Sequence, residues 1–279
     1  MPDCEFKVKF WGVRGSIPVP GDETLKVGGN TSCIEICDDN QIIIIDAGTG
    51  FRNFGKAIMN LPVKHINLFF SHYHWDHLQG FSFFAPLRKK DFLIDAYGET
   101  KVYGSTEDIV SGQMTHPYFP VTISDLAGTV KFHEIKKEET VKIGDFTVKA
   151  IRLRHPDGCL GYKISKNGKS FMYGTDYEHL ENQEDDHYLE VLKGVDYFMH
   201  DSSYTNDELT GVVGPSRRGW GHSTWEKGCQ MAKAAGVKNL VLSHHEIDRT
   251  DEMVFAIEKE ARKLFPNTIA AYEGLIIKV

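Results

Sequence analysis

The sequence predicts an α/β protein built as a layered sandwich, with mixed sheets inside and helices outside. Three observations lead there. Apolar runs of strand length recur along the chain, longer helix-compatible stretches alternate with them in the C-terminal half, and no repeat or polar linker divides the 279 residues. A chain of that length buries a substantial core as one unit, so residues 1–279 are read as a single domain.

The elements follow in order. Strands are expected at Phe6 to Trp11, Ser32 to Cys37 and Gln41 to Asp46, then a helix near Phe51 to Asn60 and a strand from Ile66 to Ser71. Two hairpins come next: "VKIGDFTVKAIRL" turns at Gly144-Asp145, and "LGYKISKNGKSFMYG" turns at Asn167-Gly168, which suits a type I′ turn. The C-terminal part alternates helix Asn182 to Lys193, strand Val195 to Met199, helix Ser223 to Ala235, strand Asn239 to Leu242 and helix Asp251 to Leu264. The helix at Ser223 has a capping box in Ser223 and Glu226. Its apolar face comes from Trp225, Cys229 and Ala232, and Gly236 supplies the stop.

Composition narrows the function. A net charge of −7 argues against a general nucleic-acid binder. The longest aliphatic run, Ile42 to Ile45, falls far short of the ~20 residues that cross a bilayer. The start "MPDCEFKVKF" lacks the apolar segment of a secretory signal, so a cytoplasmic protein without membrane contact is expected. The cysteines at 4, 33, 37, 159 and 229 are odd in number and form no CxxC pair, which points to reduced thiols.

One segment carries chemistry. The strand "INLFF" runs into "SHYHWDHLQG", which supplies His72, His74, Asp76 and His77 within six residues. Imidazoles at i and i+2 on a turn converge on one cation, and the Asp-His pair that follows points toward a second. Other strand ends offer His155, Asp176 and the pair His244-His245. Together these groups suffice for two divalent cations bridged by a carboxylate, with Zn2+ the first choice and Mn2+ the alternative.

With those residues in place the chain resembles the metallo-β-lactamase superfamily, whose HxHxDH signature is matched by His72, His74, Asp76 and His77. The resemblance implies a four-layer αββα sandwich with the site at one edge of the two sheets. It implies His72, His74 and His155 on the first metal, Asp76, His77 and His244 on the second, and Asp176 between them. The pattern is similar to the phosphodiesterase branch in particular. Asp176 stands where the true β-lactamases have cysteine, and His74 where diiron reductases have glutamate. "WGVRGSIPVP" and "GGNTSC" resemble that branch's glycine-rich first motif, and "WGHST" its His-Ser-Thr motif.

The resemblance implies a binuclear phosphodiesterase, for which metal-activated hydroxide is the expected nucleophile and His222 and Asp76 are catalytic candidates. His222 sits just before a helix start, where free N–H groups and the helix dipole favour a phosphate. Asp46, at the end of "IIIID", is expected to orient a ligand histidine. Ser223, Arg217 and Arg218 are candidate phosphate contacts. In "SGQMTHPYFPVTISDL", residues 111–126, Tyr118 and Phe119 are candidates for stacking on a nucleobase, and the segment as a whole is a candidate lid or dimer contact. The resemblance implies a long arm between His155 and Asp176 in tRNA 3′-processing enzymes, whereas here a hairpin fills that interval. The expected substrate is therefore a small phosphodiester, a 3′,5′-cyclic nucleotide first, with pre-tRNA cleavage and ester, thioester or lactam hydrolysis as alternatives. The expected assembly is a homodimer.

Overall fold

The computed structural model describes residues 6–38, 41–180 and 186–279. Cys4 and residues 182–185 of the expected helix lie outside them. Two seven-stranded sheets face each other. The first contains β1 (Lys7–Gly12), β2 (Cys33–Cys37), β3 (Ile42–Ile45), β4 (His65–Phe69), β5 (Leu93–Gly98) and β6 (Thr129–Glu134). The second contains β7 (Thr140–Ile143), β8 (Phe146–Leu153), β9 (Cys159–Lys166), β10 (Lys169–Gly174), β11 (Tyr197–Asp201), β12 (Asn239–Ser243) and β13 (Thr268–Ala270). The last strand, β14 (Ile276–Lys278), returns to the first sheet beside β1.

The strand β3 shows why its sequence is four isoleucines. Ile43 and Ile45 enter the core between the sheets with Val8, Phe69, Phe146 and Tyr162. Ile44 faces the other way, into a second cluster with Leu68, Ile94, Phe51 and Phe54. A strand covered on both faces has no polar side to alternate with. That second cluster lies under α1 (Gly50–Ile58) and α3 (Thr106–Gly112), with the short α2 (Trp75–Leu78) between them in sequence. A third cluster joins Met172, Phe198 and Leu240 of the second sheet to Leu192, Cys229 and Ala261. Those three belong to α4 (Asp186–Leu192), α6 (Trp225–Ala234) and α7 (Asp251–Leu264); α5 (Asn206–Thr210) precedes α6. Three clusters separate four layers, the expected αββα order.

Both expected hairpins form. Asn167 and Gly168 have φ of 50° and 76°, as a type I′ turn requires. The cysteines at 33, 37, 159 and 229 are free. Most boundaries shift by one or two residues, and two of the shifts have a clear local cause. The strand expected at Val195 is β11, two residues later, because the Val195 N–H closes a turn onto the Leu192 carbonyl. The helix expected to start at Ser223 is capped instead by Thr224, whose hydroxyl accepts from the Lys227 N–H; the Ser223 hydroxyl is held by His179 Nδ1 at 2.9 Å. Beyond the expected elements, β5, β6, β13 and β14 are further strands.

The strands β3 to β6 run parallel, as do β10 to β13, and β8 shares the direction of β10 through two antiparallel steps. Their C-terminal ends therefore gather at one edge of the sandwich, where open α/β sheets present their ligands.

Candidate metal centre and active site

Every ligand expected from the sequence reaches that edge. Asp46 follows β3, His72 to His77 follow β4, His155 follows β8, Asp176 follows β10 and His244 follows β12. Asp46, Asp176 and His244 leave their strands with φ of 64°, 58° and 59°. Non-glycine residues adopt this left-handed conformation at a cost, and such strain clusters at functional sites.

The donor atoms form two groups. His72, His74 and His155 offer ligand atoms within 4.8 Å of one another, as do Asp76, His77 and His244. Asp176 lies between the groups. One of its oxygens is 3.8 Å from His72 Nε2, 3.8 Å from His155 Nε2 and 3.5 Å from His244 Nε2, and the other is 3.2 Å from His77 Nε2.

The outward nitrogen of each buried imidazole is anchored. His77 Nδ1 is 2.7 Å from Asp46 Oδ2, His72 Nδ1 3.1 Å from the Ser71 hydroxyl, His155 Nδ1 2.8 Å from the Gly221 carbonyl and His244 Nδ1 3.1 Å from the Ser203 hydroxyl. This leaves the Nε2 atoms directed inward. Among the described residues, His72 Nε2 is buried without any hydrogen-bond partner, and the buried His77 Nε2 meets only carboxylate oxygens, of Asp76 and Asp176, at 3.2 Å each. Buried polar atoms are rarely orphaned, and imidazoles fixed through Nδ1 with Nε2 bare are the arrangement of metal-ligating histidines. The residues present fit two cations.

Electrostatics agrees. Burial, together with neighbouring imidazoles, holds His72 well below the usual histidine range, and burial lowers His74 and His155 as well, so this trio is neutral and able to accept a cation. The second group is crowded with carboxylates. Burial opposes the charge on His77, yet Asp76, Asp176 and Asp46 push its imidazole well above the usual range. Burial likewise opposes protonation of His244, but Asp176, Asp76 and Asp201 raise it to about 9. Asp76 and Asp176 are held well below the ordinary carboxylate range by those imidazoles, against the pull of burial.

His222 lies beside these groups without being needed by either trio. Its Nδ1 is 2.8 Å from Asp201 Oδ2 and 3.8 Å from Asp176 Oδ1, and its ring stacks on His244 at 5.0 Å. Burial lowers its pKa, and the Asp201 carboxylate more than restores it, for a net rise. Asp201 is fully buried at the end of β11. Sequence reading missed it. The available signal was its position, an acidic group at a sixth strand end on the same edge.

The remaining candidates divide. Arg217 stacks its guanidinium 4.7 Å above the Tyr204 ring, which meets the His222 ring edge-on at 5.9 Å. Arg218 is exposed on the same loop. Ser223 is fully buried and bonded to His179, so it supports the His222 segment from behind and does not face a substrate. Phe119 is half-buried against Phe83, while Tyr118 is 81% exposed. His245 turns away, its Nε2 on the Ala271 carbonyl. The first motif reaches the site through its backbone: the Ser16 N–H donates to Asp76 Oδ2 at 2.8 Å, and Gly15 leaves no room for a side chain beside the His244 ring. Glu178 receives the N–H groups of Gly219 and Gly221, which fixes the loop before His222.

Comparison with known proteins finds relatives that match most of the chain. Ribonuclease Z of Lactiplantibacillus plantarum is 23% identical over 85% of this chain and 88% of its own. Ribonuclease Z of Archaeoglobus fulgidus is 23% identical over 98% of each chain. Among solved structures, the metallo-β-lactamase fold protein YhfI from Bacillus subtilis superposes with a TM-score of 0.71 at 16% identity, covering 99% of this chain and 100% of that one. A diphosphatase of the PhnP family gives 0.68 at 16% identity, over 98% of each chain. Human tRNase Z, short form, gives 0.66 at 17% identity, over 98% of this chain and 99% of its own. The model of the beta-lactamase superfamily domain matches residues 41–245, from β3 through the last candidate ligand. The chain belongs to that superfamily and is a metal-dependent hydrolase.

Proposed function

We propose that the protein is a binuclear phosphodiesterase acting on a small phosphodiester, a 3′,5′-cyclic nucleotide first. In this reading His72, His74 and His155 would hold one divalent cation, Asp76, His77 and His244 would hold the other, and Asp176 would be shared between them. The imidazole-rich donor set suits Zn2+, and its carboxylates also admit Mn2+. When bound, the cations supply an activated water and withdraw charge from the phosphoryl oxygens.

The chain's own residues do the rest. Asp201 fixes the His222 ring through Nδ1 and favours its protonated form, as a carboxylate does for a catalytic imidazole. His222 then presents Nε2 to the ester oxygen that departs and donates a proton to it. Arg217, stacked behind Tyr204, adds positive charge near that oxygen. The Asp201–His222 pair, set against the would-be bridging carboxylate, is the observation that carries the reading. The relatives named ribonuclease Z and the PhnP-family diphosphatase support phosphorus chemistry.

A second reading, cleavage of structured RNA, has its own support in those ribonuclease Z relatives. Against it stand the net charge of −7 and the hairpin β9–β10, which fills the interval between His155 and Asp176. The proposal also includes a cytoplasmic homodimer, with 111–126 as the candidate contact. Among the described residues no helix is long and apolar enough to cross a membrane, and light scattering reads the mass.

Turnover of a panel tests the function: cyclic nucleotides, bis(p-nitrophenyl) phosphate, pre-tRNA and a β-lactam. Turnover of cyclic nucleotides and the aryl diester is expected. Activity on pre-tRNA alone would replace the first reading by the second, and activity on the lactam alone would end both.

A further inference from the structure

A cavity of about 590 Å³, within the ~300–1,000 Å³ range of small-ligand sites, takes part of its wall from the loop that carries the ligands. Its wall starts in the ligand loop itself. Trp75, between His74 and Asp76, lines it and is 78% exposed. Phe83, Tyr118 and Phe119 continue the wall, and Gln79 and Gln113 are its carboxamides; among the described residues no Lys, Arg, Asp or Glu lines it. The Gln113 amide nitrogen is buried and has no hydrogen-bond partner among the described residues.

We propose that this cavity is the base subsite of the enzyme and takes an adenine ring. The ring stacks on Trp75 and Tyr118 and is read along its edge by Gln113 and Gln79. The inference rests on the phosphodiesterase reading, because the phosphate of the same substrate must reach the adjoining cluster. Aromatic faces without charges suit a flat, neutral ring and reject a second phosphate. An alkyl group would fill the space but leave the buried Gln113 donor unsatisfied, which is costly. A carboxamide offers a donor and an acceptor side by side, the complement of adenine N7 and N6.

Two measurements test it. The first compares kcat/KM for 3′,5′-cyclic AMP with that for the base-free ribose 3′,5′-cyclic phosphate, in wild type and in Gln113→Leu and Trp75→Ala. Preference for the nucleotide is expected in wild type and should shrink about tenfold in each variant, within the range for losing one stack or one edge contact. The second follows quenching of tryptophan fluorescence by adenosine in metal-free protein, which should be strong in wild type and lost in Trp75→Ala. Equal preference in wild type and variants that keep their circular dichroism, or no quenching by adenosine, would overturn the subsite. Quenching by adenosine together with no turnover of either cyclic phosphate would overturn the phosphodiesterase reading and leave the subsite standing.

Discussion

Asp201 divides one carboxylate among three neighbours. Oδ2 accepts from His222 at 2.8 Å and from the Asp176 N–H at 3.0 Å, while Oδ1 accepts from the Ser203 hydroxyl at 2.8 Å. Asp201→Asn keeps the shape and removes the charge that raises His222. Turnover should fall about 10²-fold, the scale of a lost general acid, with metal content unchanged. Steady-state kinetics and elemental analysis of the same preparation check both halves; loss of metal would make Asp201 a support for the ligands instead. Gly221 is the complementary case. Its φ is 91°, and a Cβ there would lie 2.2 Å from His155 Nδ1. Gly221→Ala should displace His155 and lower metal affinity about 10- to 100-fold, the usual cost of disturbing a ligand's support, read by competition with a chelating dye. At this scale the sequence was partly legible. Four donors in six residues announce themselves, and Asp46 could be guessed from the strand it ends. Asp201 offered the same strand-end signal but its role did not show, because its partner His222 is 21 residues away and meets it only in the folded chain.

Between elements, the turn that carries His155 is tied down from the other sheet. Lys101 Nζ donates to the carbonyls of Asp157 and Gly158 at 2.9 Å each and to Glu99, and Arg152 of β8 also donates to Glu99. Burial pulls the Glu99 carboxyl up, but hydrogen bonds from Arg152 and Lys101 bring it below its ordinary value. A carboxylate depressed in the folded state adds stability above its unfolded pKa of about 4.3 and loses it as pH falls through the folded value. Glu99→Gln should therefore cost about 1 kcal/mol at pH 7, and the difference from wild type should shrink as pH falls below about 4. Urea melts at both pH values measure it. Element boundaries were legible where local chemistry alone decides them, as at Asn167-Gly168. They slipped where a distant group intervened. Ser223 heads a sound capping box, yet its hydroxyl belongs to His179, 44 residues earlier, and the cap passes to Thr224.

For the whole molecule, the edge of the sandwich concentrates Asp46, Asp76, Asp176 and Asp201, all buried. Those carboxylates raise His77 and His244. Protons and cations thus compete for the same imidazoles, so metal affinity should weaken as pH drops, as dialysis at pH 7.5 and 5.5 followed by elemental analysis would record. Chelation should also lower the melting temperature. Binding at 100 times Kd contributes about 2.7 kcal/mol per site, on the order of 5–10 °C for a chain of this size. The layered plan was legible because strand-length apolar runs and amphipathic stretches report burial directly. The strands β5 and β6 were not: β5 carries an aspartate at position 95, and β6 is an edge strand with half-exposed residues. What joins these scales is a single carboxylate between two trios. The metal-to-protein ratio of wild type and Asp176→Ala, measured by elemental analysis after gel filtration, tests it most directly. Two equivalents per chain are expected in wild type and at most one in the variant. One equivalent in wild type, or two retained by Asp176→Ala, would contradict a binuclear centre bridged by Asp176.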